Sequence, residues 1–203
     1  MRITAGEWRS RRLQGPGKSR RLRPTPDSMR ERAFAVIGDR VAGSRFLDLY
    51  AGTGAVGLEA LSRGARSVVF VERHRSAAHL IEKNCASFDL TVNRAELMVR
   101  SSSVAVELLA GREDRFDMAW VDPPFEIWSE GLKVLVSLFK VGLLAGGSLA
   151  CFECPSKADV ARPLPSNLEI VRDLAGSASR VVMIAQAQGE FELIEIARCS
   201  TNQ

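Results

Sequence analysis

Two short segments of the chain combine residue types from which a binding or catalytic site can be built. Residues 47–57 contain glycines in the pattern Gly-x-Gly-x-x-Gly, directly after an apolar run. Residues 122–125 place an acid, two prolines and an aromatic ring after a second apolar run. Glycines allow a tight turn and let a ligand approach the backbone closely. Two prolines fix the backbone of a turn rigidly.

The glycine segment has further features of a nucleoside-binding loop. Glu72 follows Gly52 by 20 residues, at the end of the next apolar run, where an acid accepts the hydroxyls of an adenosine ribose. Dinucleotides and S-adenosylmethionine both suit this pattern. Asp48 would oppose a pyrophosphate, but would favour the ammonium and sulfonium of S-adenosylmethionine. The pattern therefore favours the methyl donor over a nicotinamide or flavin dinucleotide.

The Asp-Pro-Pro-Phe segment has the composition of a site for a planar amine. Asp122 and the Pro123 carbonyl supply two acceptors for its N–H groups, and Phe125 supplies a stacking surface for a base. An exocyclic amine of guanine or adenine held in this way could attack a sulfonium methyl. The base would first have to leave its stack. The alternative is a stiff turn that only ends a strand.

Apolar runs alternate with helical segments through most of the chain and predict the frame that positions these residues. Such alternation indicates a doubly wound α/β fold with a mostly parallel sheet. The last runs lack helices between them and predict an antiparallel C-terminal part. Strands are predicted at 46–50, 67–72, 96–100, 116–121, 148–153, 168–174, 180–185 and 191–197, and helices at 55–63, 74–88, 104–110 and 129–141.

The N-terminal end of the chain is unusually basic. Ten of the 28 Lys and Arg residues lie among the first 32 residues, with three acids, so this part carries +7 and the remainder −3 of the net +4. Residues 1–25 are expected to form a small β-hairpin extension with a basic loop, and residues 26–203 the main domain. A helix capped near Thr25 or Ser28 should follow. A basic arm on an acidic body suggests a polyanionic partner, although a solvated face would show the same charge pattern.

Other features exclude several classes of protein. The longest uncharged stretch, 141–152, is too short and too rich in glycine to span a bilayer. The N-terminus lacks the pattern of a secretory signal, and four scattered cysteines do not form a disulfide framework. Cys151 and Cys154 should point to opposite faces of a strand. His74 and His79 are expected at the surface, so no metal site is predicted, and a cytoplasmic location is favoured.

Several segments together resemble the RsmD family. They are Arg23-Pro24-Thr25, Arg30-Glu31, residues 47–54 and 57–65, and Asp122-Pro123-Pro124-Phe125. The resemblance implies a seven-stranded, Rossmann-like sheet of the class I S-adenosylmethionine-dependent methyltransferase type. It implies transfer of methyl to the N2 amine of one guanine in 16S rRNA, with the rRNA or the small ribosomal subunit as partner. A monomer without metal is expected.

The resemblance and the motifs assign roles to individual residues. The expected catalytic residues are Asp122, Pro123, Pro124 and Phe125. The expected cofactor-binding residues are Asp48, Tyr50, Ala51, Gly52, Gly54, Glu72, Arg73, Ser102 and Asp122. The expected nucleic-acid-binding residues are Arg9, Arg11, Arg12, Lys18, Arg20, Arg21, Arg23, Thr25 and Arg30. The chain departs from the family where Ser101-Ser102-Ser103 replaces an Asp that usually lies near the adenine.

Three alternatives remain open at this point. An adenine-N6 methyltransferase acting on DNA would use a similar Asp-Pro-Pro-aromatic edge, although the chain has no obvious target-recognition domain. A non-catalytic RNA-binding factor in ribosome assembly would need only the basic arm. A nicotinamide dehydrogenase would share the glycine loop, but no proton donor is evident near it.

Overall fold

The computed structural model describes residues 1–15 and 27–187 of the 203 residues. The described strands are β1 (Arg45–Leu49), β2 (Ser67–Val71), β3 (Ala95–Met98), β4 (Phe116–Val121), β5 (Leu144–Pro155), β6 (Leu168–Ala175) and β7 (Ser179–Gln186). The described α-helices are α1 (Asp27–Ile37), α2 (Ala55–Ser62), α3 (Arg75–Ala86), α4 (Ser102–Gly111) and α5 (Trp128–Lys140). A 3₁₀ turn, Gly38–Val41, connects α1 to β1.

These strands form one sheet in the order β3-β2-β1-β4-β5-β7-β6. Strands β1 to β5 pair in parallel, whereas β7 pairs antiparallel with both β5 and β6. The expected seven-stranded, mostly parallel sheet with an antiparallel C-terminal part is confirmed. The further strand predicted at 191–197 lies outside the described residues.

Each face of the sheet is covered by its own apolar cluster. On one face, α1, α2 and α3 bury residues such as Phe34, Leu58 and Ile81. On the other, α4 and α5 bury residues such as Leu109 and Leu135. Cys151 belongs to the first cluster and Cys154 to the second, which confirms that their side chains point to opposite faces. The helices thus cover both faces, and the carboxyl ends of the parallel strands stay available for a site.

The N-terminal residues form a hairpin that packs onto the main core. The Ile3 N–H donates to the Arg11 carbonyl, and Arg2 forms an antiparallel bridge with Arg12. Ile3, Trp8 and Leu13 are buried in the same cluster as α1 and α2, so this part is fixed to the body by apolar burial. The proposed boundary at residue 25 lies outside the described residues. Helix α1 begins at Asp27, and Ser28 lies in its first turn.

Candidate active site

The two segments singled out by sequence meet where the order of the strands reverses. Strands β1 and β4 are neighbours, with Leu49 in register with Val121, and successive strands leave them in opposite directions along the sheet. The Asp122 N–H donates to the Leu49 carbonyl at 3.4 Å. The crevice at such a switch point is where open α/β sheets bind ligands.

The loop after β1 has a backbone that side chains rarely tolerate. Tyr50, Gly52 and Gly54 have φ angles of 62°, 57° and 77°. A Cβ placed on Gly52 would have only the Tyr50 carbonyl oxygen nearby, at 3.9 Å. The outer side of the loop at Gly52 is therefore open, and a ligand can approach the backbone there.

The third glycine of the pattern serves packing. A Cβ on Gly57 would lie 2.3 Å from Cε1 of the Phe70 ring, and 2.7 Å from Cγ1 of Val68. Both neighbours belong to β2, so Gly57 lets α2 approach the sheet closely. This is the role of the third glycine in dinucleotide-binding folds.

Asp48 lies beneath the glycine loop. Its side chain is buried, at 1% exposure, and Oδ2 accepts the N–H of Gly57 at 2.9 Å. Burial, opposed by that hydrogen bond and reinforced by the charge of Glu72, raises the pKa of Asp48 to about 7. A carboxyl group of this kind holds the first turn of α2 and responds to a positive charge brought near the loop.

Glu72 is held by two backbone donors at the end of β2. Oε2 accepts the Gly52 N–H at 2.9 Å, and Oε1 accepts the His74 N–H at 2.8 Å. Each carboxylate oxygen keeps a second lone pair. The side chain is thus oriented by the same loop that carries Gly52, and each oxygen keeps a lone pair for a ligand donor.

Tyr50 and Ser102 connect the loop to the start of α4. The Tyr50 hydroxyl is hydrogen-bonded to the Ser102 side chain, and burial is the largest influence that raises the pKa of the phenol. Ser101 caps α4 through its side chain, which accepts the Val104 N–H. Arg73 is exposed and donates from Nε to Nε2 of His74. Ser101, Ser102 and the Tyr50 hydroxyl therefore form a neutral corner lined by hydroxyl groups.

The turn after β4 is rigid for reasons of packing as well as covalent structure. A Cβ on Gly131 would lie 2.4 Å from Cγ of Pro123, so α5 packs directly on that ring. The Pro124 carbonyl accepts the Ile127 N–H at 2.9 Å, whereas among the described residues none donates to the Pro123 carbonyl. Pro123 is buried, Pro124 exposed and Phe125 partly exposed. An acceptor and an aromatic ring thus flank Asp122 at the switch point.

Comparison with known proteins places the chain in a family. Residues 1–184 match the model of the family described as Conserved hypothetical protein 95, which is the RsmD family. This chain belongs to the RsmD family. It is 34% identical over 196 residues to Ribosomal RNA small subunit methyltransferase D of Escherichia coli K12, covering 95% of this chain and 93% of the relative.

A second relative and a solved structure are also similar to this chain. YlbH of Bacillus subtilis 168, which carries the provisional name of an rRNA methyltransferase, is 35% identical over 138 residues. The match covers 68% of this chain and 73% of that protein. A structure from Escherichia coli, provisionally named methyltransferase yhhF, superposes with a TM-score of 0.75 at 29% identity. It covers 92% of this chain and 97% of that one. The fold expected from the sequence is therefore the fold of the family.

One residue assigned to the nucleic-acid side of this RsmD-family chain is a structural residue. Arg30 is completely buried, with Nε 3.4 Å from Oε2 of Glu59 and an Nη 3.0 Å from Oδ1 of Asp27. It also donates to the Arg2 carbonyl. The prediction that Arg30 contacts the nucleic acid is wrong, because no face of its side chain is open to a partner.

The other residues predicted to contact nucleic acid differ in how the structure places them. Arg9 and Arg12 are exposed. The Arg11 guanidinium lies over the Phe88 ring at 4.2 Å and donates to the Ser87 carbonyl, so its position is fixed by the body. The remaining five predicted nucleic-acid contacts, Lys18, Arg20, Arg21, Arg23 and Thr25, lie outside the described residues.

The sequence gives little indication of the roles of two buried polar residues near the glycine loop. Glu59 of α2 accepts hydrogen bonds from the hairpin, and Asn84 of α3 contacts both the glycine loop and Gln14. Helical periodicity would place neither in a polar network, because their partners are distant in sequence. A charge in an otherwise apolar stretch, as at Glu59, is the only hint.

Neither a metal site nor a membrane span is found in the described part of the chain. Within residues 1–15 and 27–187, no group of three or more His, Cys, Asp or Glu side chains is arranged to hold a metal ion. His74 and His79 are exposed, as expected. In those same ranges, no helix combines the length and apolar character needed to cross a membrane.

Proposed function

We propose that this chain transfers the methyl group of S-adenosylmethionine to the exocyclic N2 amine of a guanine in 16S rRNA. The observation that carries the proposal is the junction of the two motifs, where the Asp122 N–H meets the Leu49 carbonyl. A cofactor on the glycine loop and a base on the Asp-Pro-Pro-Phe turn would share one crevice. The relative in Escherichia coli is named as an rRNA small subunit methyltransferase.

The residues of the loop fit this methyl donor. The open side of Gly52 gives room for a ligand against the backbone, and Glu72 is oriented to accept two ribose hydroxyls. Glu72, together with Asp48 when it is ionised, gives the loop a negative charge, which suits a cationic ligand and opposes a pyrophosphate. When bound, S-adenosylmethionine supplies an activated methyl group on its sulfonium. These acids therefore favour it over a dinucleotide.

The turn after β4 fits a planar amine. Asp122 and the Pro123 carbonyl are the acceptors that would receive its two N–H bonds, and Phe125 would stack on the base. Two acceptors held on a rigid turn draw the amine out of conjugation with the ring and so free its lone pair. Most of the catalysis would come from positioning two reactants, an effect worth up to about 7–11 kcal/mol. No covalent intermediate with the protein is needed.

The finer assignments rest on the family and on the charge pattern. Guanine N2 and the 16S rRNA are the target of this proposal because the chain belongs to the RsmD family. The basic residues that precede α1 would contact rRNA phosphates. The proposal takes the protein to act as a monomer in the cytoplasm.

The experiment that tests the proposal replaces Asp122 by Ala, which removes the side-chain acceptor. Binding of S-adenosylhomocysteine is measured by calorimetry, and methyl transfer is measured with small ribosomal subunits from cells that lack the gene. We expect affinity within about threefold of the parent and a rate at least about 100-fold lower. Asp39→Ala is the matched control, because Asp39 is exposed and lies in the 3₁₀ turn before β1, at the opposite end of that strand from the glycine loop.

Two outcomes would overturn the proposal. Methyl transfer by Asp122→Ala at the parental rate would show that the turn is not the site of the amine. Mass spectrometry of nucleosides provides the second test. If loss of the gene removes N6-methyladenine from DNA and leaves methylguanine in 16S rRNA unchanged, the substrate is DNA.

A further inference from the structure

Asn84 is a buried amide in the last turn of α3, and it contacts two segments that are distant in sequence. Its exposure is 1%. Oδ1 accepts the Gln14 N–H at 2.8 Å, while Nδ2 donates to the Gln14 carbonyl at 3.1 Å and to the Thr53 carbonyl at 3.0 Å. Both amide hydrogens and one lone pair of the oxygen are therefore used.

The contact with Thr53 fixes the glycine loop, which is the proposed site of the cofactor. Thr53 precedes Gly54, whose φ of 77° requires the loop to turn sharply. Ile81, one turn before Asn84 on α3, packs against Gly54, with its Cγ atoms 3.4 Å from a Cβ placed there. Helix α3 thus holds the loop by an apolar contact and by one directed hydrogen bond.

The contact with Gln14 fixes the end of the hairpin. Asn84 pairs with both backbone polar groups of Gln14, as a neighbouring strand would. Gln14 comes just before the part of the chain that contains Lys18, Arg20, Arg21 and Arg23. The position where this basic segment leaves the body is therefore set by the same side chain that holds the loop.

The rest of the hairpin does not depend on Asn84. The Glu59 carboxylate accepts the N–H groups of Thr4 and Ala5, and the Ser62 hydroxyl accepts the N–H of Trp8. Trp8 also packs on Phe88, with 4.5 Å between ring centroids. Loss of the Asn84 amide should therefore release Gln14 and the loop while residues 1–13 stay in place.

We propose that Asn84 is a positioning residue that couples the basic segment after Gln14 to the cofactor loop through Thr53. RNA bound to that segment would favour the loop conformation that holds the cofactor, and bound cofactor would favour RNA to the same extent. The inference rests on the proposed function, because it takes rRNA and S-adenosylmethionine as the two ligands.

The experiment measures the coupling directly. Calorimetry gives the affinity of S-adenosylhomocysteine for the full chain with and without a saturating 16S rRNA transcript. In the parent, we expect RNA to increase this affinity by about fivefold or more. In Asn84→Ala, the ratio should fall to within about twofold of unity. Asn93→Ala, at an exposed position on the turn before β3, should keep the parental ratio.

Further measurements separate the different ways in which the inference could fail. If Asn84→Ala folds poorly, Asn84→Ser takes its place, because serine is uncharged and too short to contact both Gln14 and Thr53. We expect the same loss of coupling in that variant. The inference is overturned if RNA does not change the affinity of the parent for S-adenosylhomocysteine. It is also overturned if a folded Asn84 variant shows the same RNA-dependent increase in affinity as the parent. The proposed function stands if the parent still methylates small subunits. If the parent neither binds S-adenosylhomocysteine nor methylates small subunits, that result contradicts the proposed function itself.

Discussion

Arg30 and Glu59 form a completely buried ion pair, with 3.4 Å between Nε and Oε2. The same carboxylate accepts the N–H groups of Thr4 and Ala5, and Nε of Arg63 lies 2.8 Å from its Oε1. One side chain of α2 thus joins α1 and the N-terminal hairpin to the helix that follows the glycine loop. The pair therefore fixes α1, α2 and the hairpin to one another.

Replacing Arg30 by Ala should destabilise the fold, because a buried carboxylate is then deprived of a charged partner. We expect the free energy of unfolding to fall by about 3 kcal/mol or more, measured by urea denaturation. Arg32→Ala is the control, since Arg32 lies on the same helix and is exposed. If Arg30→Ala unfolds at the same urea concentration as the control but binds RNA more weakly, Arg30 is a nucleic-acid contact after all.

Alanine at Gly57 and at Gly52 should have different effects. At Gly57 the new Cβ would lie 2.3 Å from the Phe70 ring, and we expect the free energy of unfolding to fall by about 1–3 kcal/mol. At Gly52 the new Cβ has space, but the φ of 57° strains an alanine, and the Cβ occupies the open side of the loop. Calorimetry should therefore show the greater loss of S-adenosylhomocysteine affinity for Gly52→Ala. Equal affinity of Gly52→Ala and the parent would contradict the cofactor site.

The raised pKa of Asp48 predicts a pH dependence of stability. The folded protein keeps the Asp48 proton up to about pH 7, whereas the unfolded chain loses it near about pH 4. The Asp48 contribution to the free energy of unfolding therefore falls as the pH rises from about 4 to about 7. Asp48→Asn removes this loss, and should gain on the order of 1–3 kcal/mol over the parent between about pH 5 and 8.

The measurement for Asp48 is urea denaturation at several pH values, with Asp89→Asn as the control. The control should differ from the parent by a constant amount over this range. A constant difference for Asp48→Asn as well would show that the Asp48 carboxyl titrates normally.

Tyr50 is the single tyrosine of the chain, so an ultraviolet titration reports on it alone. Burial raises the pKa of its phenol, while the Ser102 hydrogen bond acts in the opposite direction. We expect a midpoint above the ordinary value of about 10, and a still higher midpoint in Ser102→Ala. The titration is valid while the far-ultraviolet circular dichroism stays native. A lower midpoint in Ser102→Ala would contradict the hydrogen bond.

The basic segment should contribute salt-dependent affinity for RNA. Replacing Lys18, Arg20, Arg21 and Arg23 by Gln should weaken binding of a 16S rRNA transcript. It should also reduce the slope of log affinity against log salt by about 0.7 for each phosphate that the variant no longer neutralises. Arg162→Gln with Arg172→Gln, both exposed on the body, is the control. An unchanged slope in the first variant would mean that the segment is only a solvated surface.

Local patterns were sufficient to predict the frame and to place the two motifs at one edge of the sheet. The alternation of apolar runs with helical segments predicts a parallel sheet, because a strand and its crossover helix each require only a short stretch of residues. The glycine loop and the Asp-Pro-Pro-Phe turn follow strands, and parallel strands expose their carboxyl ends at one edge. Their proximity at β1 and β4 could therefore be predicted before any contact was known.

The partners of buried polar groups were decided only by the tertiary structure. Arg30 has the same local signature as the exposed arginines, yet it is enclosed because Glu59 and the hairpin pack around it. Gly57 is a packing residue because Phe70 lies beneath it. The role of Asn84 follows only from its contacts with Gln14 and Thr53 in the folded chain. Such contacts join residues far apart in sequence, and the cost of burying polar groups makes them specific to the folded chain.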